Sequence, residues 1–359
     1  MATGVIDMVR IGIIGIGFMG FTHFEGAKKV KGAKVAAIST RNAKKLAGDW
    51  TSIQGNFGPR GGHVDLSGIK AYADYHELLA DPDNDHVDIC LPTEQHEEVA
   101  IAALQAGKPT LVEKPIAVDL EGANRIVQAA NKAKKLLMVA QVLPFFPEFL
   151  FARDAVQSGR YGKLLAAHFR RVITPPKWSR EMSDFRRLGG WGVDLHIHDN
   201  HFICAMCGVP QQVFSQGLLQ ADLVNHVHTQ YLYGAAGPTI SCVSGGIAAK
   251  GLEFSHGFEL FFEKATVQYD AGTYGSGKKK AWVVNRPLTV ITDDGKVTNP
   301  KLKGGGEWCA AFTAELQMAA DAVCTGEEPP LLSGKMARDA LKICYAEAKS
   351  IATAKPVKI

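Results

Sequence analysis

Three residues have the types that oxidation of a secondary alcohol requires: Lys114, in Glu113-Lys114-Pro115, and Asp194 with His198, in Gly189-Gly190-x-x-x-Asp194-x-x-x-His198. Such a reaction needs a hydride acceptor, a base for the hydroxyl proton, and a cation or donor for the developing alkoxide. Lysine and histidine supply the last two. On a helix opened after Gly190, Asp194 and His198 stand four residues apart and share one face, and His201 falls on the same stripe. The run Asp194-Leu-His196-Ile-His198-Asp199-Asn-His201 also raises a metal reading, because imidazoles and carboxylates bind zinc. On a helix, however, His196 and His198 point roughly 200° apart and do not easily share one ion. Asp194, His198 and His201 could. The expectation is no metal, with extra imidazoles lining a pocket for a polyhydroxylated ligand and His196 packed on the opposite side.

The hydride acceptor has its own signature near the N-terminus. Val9–Ile14 has a short buried-strand pattern, Gly15, Gly17 and Gly20 fit G-x-G-x-x-G with Phe18 and Met19 inside it, and residues 21–30 can form a helix. In that setting Gly15 permits a tight turn, Gly17 lets backbone approach a pyrophosphate, and Gly20 lets helix and strand pack closely. A second strand over 33–38 ends in Ser39-Thr40-Arg41-Asn42, followed by Lys44-Lys45. An acidic residue there would hold the ribose 2′-hydroxyl of NAD. Hydroxyls with a guanidinium suit a 2′-phosphate, so NADP is expected over NAD.

These residues are positioned by alternating elements: a helix over 75–80, a strand over 86–91, a helix over 97–106, a strand over 109–112, a helix over 117–134 capped by Asp119, and a strand over 136–141. Such alternation implies a parallel, doubly wound sheet with ligands at strand C-termini, where Leu91-Pro92-Thr93 and Glu113-Lys114 fall. Residues 48–68, rich in Gly, Asp, Asn and Ser, read as an irregular excursion near the adenosine or the substrate mouth. After about residue 150 the pattern changes to strands over 163–173, 212–219, 228–233, 239–244, 257–262, 265–269 and 288–292, with turn signals between them, and then helices over 308–324 and 334–354.

Taken together, Gly15-x-Gly17-x-x-Gly20, Pro92-Thr93-x-x-His96, Glu113-Lys114-Pro115 and Gly189-Gly190-x-x-x-Asp194-x-x-x-His198 resemble, in order and spacing, the Gfo/Idh/MocA oxidoreductase family over nearly the whole chain. The resemblance implies an α/β fold: an N-terminal Rossmann domain (1–145), a C-terminal domain with a large, mostly antiparallel open sheet (146–335), and a last helix (336–359) that packs back on the first domain. It implies a homodimer or homotetramer through the open sheet. It implies Lys114, Asp194 and His198 as catalytic residues: His198 as general acid/base, Asp194 as its orienting partner or a substrate-hydroxyl acceptor, and Lys114 as the donor to substrate oxygen. Cofactor contacts are expected from the glycine turn, Ser39, Thr40, Arg41, Leu91, Pro92, Thr93, His96, Glu113 and Lys114. Glu113 could pair with Lys114, contact the ribose or support structure. One departure is His196, where many relatives have glycine. Lys177, Trp178 and Arg180, with His201, are further expected substrate contacts, Trp178 stacking on a sugar face.

Composition excludes other classes. The 359 residues are 46% hydrophobic and 21% charged, with net charge +4 and scattered basic residues, so neither nucleic acid nor an anionic membrane is suggested as a partner. The run Lys278-Lys279-Lys280 is an expected solvated loop. No segment has the length of a membrane span, and a cytoplasmic protein is expected. Seven dispersed cysteines read as reduced thiols, and Cys204 with Cys207 as core residues at a helix end, not as a redox dithiol. The expected function is hydride transfer between a nicotinamide cofactor and a sugar, inositol or related polyol. The alternatives are glycoside hydrolysis or epimerisation with a tightly held NAD, metal-assisted hydrolysis, or a non-catalytic cofactor-binding regulator.

Overall fold

The computed structural model describes residues 8–175, 184–187, 189–275 and 277–359. Its first unit is built on the expected alternation: β1 (Val9–Ile14), α1 (Phe18–Ala27), β2 (Ala33–Ser39), α2 (Ala43–Leu46), β3 (Lys70–Tyr72), α3 (Tyr75–Ala80), β4 (His86–Ile89), α4 (His96–Gln105), β5 (Thr110–Glu113), α5 (Leu120–Ala133) and β6 (Leu137–Ala140). The strands run parallel in the order β3-β2-β1-β4-β5-β6. Sequence order reverses between β1 and β4, and the carboxyl ends there form the crevice in which doubly wound sheets bind ligands. All residues of β4, β5 and β6 are buried, which explains their apolar runs. The Asp119 cap is present, Oδ1 accepting from Gly122 N at 2.7 Å.

Two local expectations shift. α1 starts at Phe18, not at residue 21, because its first turn runs through the glycine motif itself. β3 escaped the sequence pattern because it is three residues long and mostly exposed. The 48–68 excursion is irregular, as expected, and folds on its own unit. Trp50 is fully buried and donates Nε1–H to Lys45 O at 2.9 Å, while the Phe57 ring stacks 5.4 Å from Phe312 and meets Phe18 edge-on at 4.7 Å.

The second unit holds α6 (Pro147–Ser158), β7 (Leu164–Ile173), α7 (Trp191–Asp194), α8 (Ile197–Cys207), β8 (Gln212–Gln220), β9 (Leu223–Leu232), β10 (Thr239–Gly245), β11 (Leu252–Phe262), β12 (Ala265–Tyr274), β13 (Ala281–Thr292), β14 (Val297–Thr298) and β15 (Val357–Lys358). Its nine strands lie in the order β14-β13-β12-β11-β7-β10-β9-β8-β15, antiparallel except for the β7–β10 pair. The Phe149 ring, fully buried, packs edge-on to Phe202 and Phe258 at 5.1 and 5.2 Å. The same sheet leaves Leu165, Trp282, Val283 and Val284 exposed.

The expected division of the chain is corrected at its C-terminal end. Residues 304–338 group with the first unit, and 339–359 with the second. α9 (Ala310–Thr325) packs on α1: Gln317 Oε1 accepts from Lys31 N at 2.8 Å, its Nε2 donates to Lys31 O at 3.0 Å, and Thr313 Oγ1 donates to Gly26 O at 3.2 Å. Most of α10 (Gly334–Thr353) belongs to the second unit, where Ser350 Oγ accepts from Ser215 N at 2.9 Å and β15 extends the large sheet beside β8.

The closest approach of a glycine to backbone in the first unit is at Gly20. A Cβ at Gly20 would stand 2.0 Å from Gly15 O, an atom fixed by the turn. Gly20→Ala is therefore expected to destabilise the fold by about 3 kcal/mol or more, at or beyond the upper end of ordinary overpacking. Urea unfolding of wild type and variant checks this, and a difference below about 0.5 kcal/mol, typical of a neutral surface change, would contradict it.

Candidate active site

The glycine turn hangs between two strand ends: Gly15 N donates to Ser39 O at 2.9 Å, and Cys90 N donates to Ile14 O at 2.8 Å. Gly15 has φ +97°, and a Cβ there would meet Cys90 O at 2.7 Å, so only glycine serves. Gly17 differs from both neighbours. A Cβ on it would meet nothing within 4 Å, and as the N-cap of α1 it offers no side chain to the helix's first N–H groups. Space beside uncapped N–H groups at the end of a central strand fits a pyrophosphate.

At the end of β2, Ser39 is buried, Thr40 is half-buried with its Oγ1 accepting from Asn42 N at 3.4 Å, and Arg41 is exposed. Asn42 is taken up as the cap of α2, its Oδ1 accepting from Lys44 N and Lys45 N at 3.0 and 3.2 Å. Lys45 reaches back and donates Nζ–H to Ile16 O at 2.6 Å, which sets a second cation beside the glycine turn.

The ends of β4 and β5 carry the next group. Leu91, Pro92 and Thr93 are half-buried and lead into α4. His96, expected to touch cofactor, is instead 1% exposed, with Nδ1 2.8 Å from Pro115 O and Nε2 2.8 Å from Leu91 O. It braces two loops, and burial lowers its pKa. Glu113 is 6% exposed; Oε2 accepts from Lys114 N at 2.9 Å, and Oε1 lies 3.0 Å from His23 Nε2. Of the roles open to Glu113, the structure shows support of the turn. Lys114 is half-buried and joined to Pro115 by a cis peptide bond.

In the second unit, Gly189 and Gly190 have φ +72° and +76°, and Gly190 caps α7. Asp194 and His198 do not share one continuous helix. Asp194 ends α7, Leu195 and His196 form a turn, and His198 lies in the first turn of α8. Both are half-buried, whereas His201, one turn beyond His198 on α8, is 1% exposed. This corrects the expectation of a substrate contact at His201: α8 is buried almost all round. Trp178, Arg180 and Lys177 lie outside the described residues.

His196 packs away from that half-exposed face, as expected. It is fully buried with Nε2 2.9 Å from Glu347 Oε1, whose carboxylate also accepts from Thr229 Oγ1 at 2.8 Å and Asn200 Nδ2 at 2.9 Å. Burial alone would depress the ring's pKa, but Glu347 and then Cys242 and Asp199 hold it well above the ordinary range. His196, Asp199 and Cys242 offer ligand-type atoms within 4.8 Å of one another, yet both oxygens of Asp199 accept from Arg171 Nε at 3.0 Å. That pairing gives the cluster a structural account without a metal. Cys204 is buried, Cys207 closes α8, and burial pushes the Cys207 thiol up to about 12, the reverse of a reactive dithiol.

Sequence reasoning missed His23, Asp88, Glu315 and Glu347. The one available signal was polar Thr22 and His23 inside the otherwise apolar run of α1, both fully buried.

A parallel sheet ordered β3-β2-β1-β4-β5-β6 with an open glycine cradle at its switch point defines a dinucleotide-binding oxidoreductase domain. Residues 9–141 match the Gfo/Idh/MocA family model, described as oxidoreductase family, NAD-binding Rossmann fold. It is 28% identical over 357 residues, 98% of each chain, to a myo-inositol 2-dehydrogenase of Thermotoga maritima. Its fold matches an aldose-aldose oxidoreductase of Caulobacter crescentus complexed with glycerol, with TM-score 0.78 and 18% identity over 98% of this chain and all of that one. It also matches an oxidoreductase of Agrobacterium radiobacter in complex with NAD+, L-tartaric acid and magnesium, with TM-score 0.76 and 19% identity over 98% of each. No helix among the described residues is long and apolar enough to cross a membrane.

Gly17 separates binding from folding. Gly17→Ala is expected to leave the urea midpoint within about 0.5 kcal/mol of wild type while weakening NADH or NADPH binding about tenfold or more, since the methyl enters only the anion cradle. Loss of stability without loss of cofactor affinity would contradict the assignment.

Proposed function

We propose that the protein transfers a hydride between NADP or NAD and a secondary alcohol of a sugar, an inositol or a related polyol. The observation that carries this reading is Lys114, a half-buried cation at the carboxyl end of β5, on the same sheet edge as the open cradle at Gly17. The similarity to a myo-inositol 2-dehydrogenase along 98% of the chain supports the substrate class. When bound, the nicotinamide supplies the hydride chemistry. The chain supplies the rest: Lys114 Nζ donates to the substrate oxygen and stabilises its developing negative charge, and His198 takes the hydroxyl proton with Asp194 orienting it or holding a second hydroxyl. Gly15, Gly17, Phe18, Met19 and Gly20 cradle the pyrophosphate, and Leu91, Pro92 and Thr93 border it.

NADP is preferred. Arg41 is exposed at the end of β2, Lys44 and Lys45 follow it, and the acidic residue that would hold a 2′-hydroxyl and repel a phosphate is missing from 39–42. The exposed Trp282, Val283, Val284 and Leu165 of the large sheet support a homodimer or homotetramer, and the reduced-thiol composition supports a cytoplasmic location.

A screen of inositols and aldoses with both cofactors tests the reading. His198→Ala is expected to lower kcat/KM by about 10²–10⁴-fold with cofactor affinity unchanged, and Lys114→Ala to lower it at least as far. Full activity in either variant would remove it from the catalytic set. Arg41→Ala is expected to weaken NADPH binding by about 1.5–3 kcal/mol, the scale of a hydrogen bond to a charged group, and to leave NADH binding almost unchanged. Equal weakening of both would contradict the preference for NADP.

A further inference from the structure

Beneath the glycine turn, the first unit buries more ionisable side chains than its fold requires. His23 on α1 is fully buried, with Nδ1 2.8 Å from Asp88 Oδ2 on β4 and Nε2 3.0 Å from Glu113 Oε1 on β5, the latter an ion pair lying off the N–H direction. Cys90 Sγ lies 3.5 Å from Nδ1 and 3.6 Å from Asp88 Oδ1. On α9, Phe312 sets its ring 6.2 Å from His23, and Glu315 is fully buried with neither carboxyl oxygen hydrogen-bonded. Glu113 holds the other end of this chain, its Oε2 accepting from Lys114 N at 2.9 Å. A continuous path of polar contacts therefore runs from Asp88 on β4 through His23 on α1 and Glu113 on β5 to the backbone of Lys114.

We propose that His23 is a positioning residue for Lys114: protonated on both nitrogens, its ring ties Asp88 to Glu113 and so keeps the Glu113 carboxylate on the Lys114 N–H. A neutral ring carries a hydrogen on one nitrogen only and would turn a lone pair toward one of the two carboxylates. Two carboxylates buried around one imidazolium are compensated; without it they repel. Burial alone would depress the ring's pKa, but Asp88 and then Cys90 raise it well above the ordinary range. Burial raises the pKa of the Glu315 carboxyl well above its ordinary value, opposed by His23 and reinforced by Glu113 and Asp88. Because the ring's folded pKa exceeds its unfolded value of about 6.5, its contribution to stability is complete below that pH and is lost as pH rises through the folded value. His23 Nδ1, Asp88 and Cys90 also offer donor atoms within 4.8 Å of one another, so a bound metal is the competing occupant of Nδ1.

The kinetic consequence rests on the reaction proposed above; the state of the ring does not. In the protein labelled with 15N-histidine, one ring signal, missing from His23→Gln, is expected to keep the imidazolium position from about pH 6 to 8, past the ordinary histidine pKa. A signal that titrates near about 6.5, or is neutral throughout, overturns the proposal. So does stoichiometric zinc in the purified protein that is lost with Cys90→Ser, because Nδ1 would then carry a metal. With an active substrate in hand, His23→Gln is expected to lower kcat by about tenfold to a hundredfold, the scale of misplaced catalytic groups, with NADPH affinity within about threefold of wild type. Adding Asp88→Asn, which removes a carboxylate along with the cation, restores part of kcat. A variant that loses only stability, with kcat of the folded fraction unchanged, overturns the positioning role. If His23→Gln does not fold, Glu113→Gln takes its place: it is expected to lower kcat while the imidazolium signal persists through Asp88, and an unchanged kcat overturns the proposal.

Discussion

The approach of α1 to the end of β1 is the contact on which the rest depends. Gly20 can sit over Gly15 O only because it has no side chain, and that closeness aims the uncapped start of the helix at the sheet's switch point. Gly15, with φ +97°, makes the turn, and Gly17 leaves space in which a pyrophosphate fits. The three glycines answer to three constraints. Two are set by the protein's own backbone, and the third has no explanation inside the protein.

The same placement of α1 carries His23 inward. A helix that enters a parallel sheet at its switch point buries nearly every side chain, and α1 buries Phe21, Thr22, His23 and Phe24 in succession. His23 thereby reaches Asp88 on the neighbouring strand and Glu113 one strand further on, so the turn that carries Lys114 is joined to the turn that cradles phosphate. The second unit uses a comparable device. His196 and Asn200 engage the carboxylate of Glu347 under α8, and the turn at Leu195 and His196 leaves Asp194 and His198 half-exposed.

Much of this was legible in the sequence because local rules governed it. The βα alternation follows from buried parallel strands read as apolar runs, and the glycine spacing from sterics within a dozen residues. The seven long strands of the second sheet were visible as alternating patterns, although β9, β11 and β13 begin earlier than their apolar residues suggest; β13, for one, opens with seven exposed residues. What escaped depends on distance along the chain. Glu347 meets His196 across 151 residues, and His23 meets Asp88 across 65, so no window contains both partners. The face shared by Asp194 and His198 was drawn on an ideal helix, and the turn at Leu195 and His196 breaks it, while His201, one turn beyond His198 on α8, is buried. His96 matched the family motif, yet both ring nitrogens serve backbone carbonyls, and a motif cannot distinguish a ligand contact from a brace.

The central claim, that the glycine cradle holds a nicotinamide dinucleotide which the protein uses as an exchangeable hydride carrier, is tested most directly by fluorescence titration of the purified protein with NADPH and NADH, before and after unfolding to release any cofactor retained from purification. Saturable, reversible binding with NADPH the tighter ligand is the predicted result. Absence of binding, or a stoichiometric cofactor that appears only on unfolding and does not exchange, would contradict it.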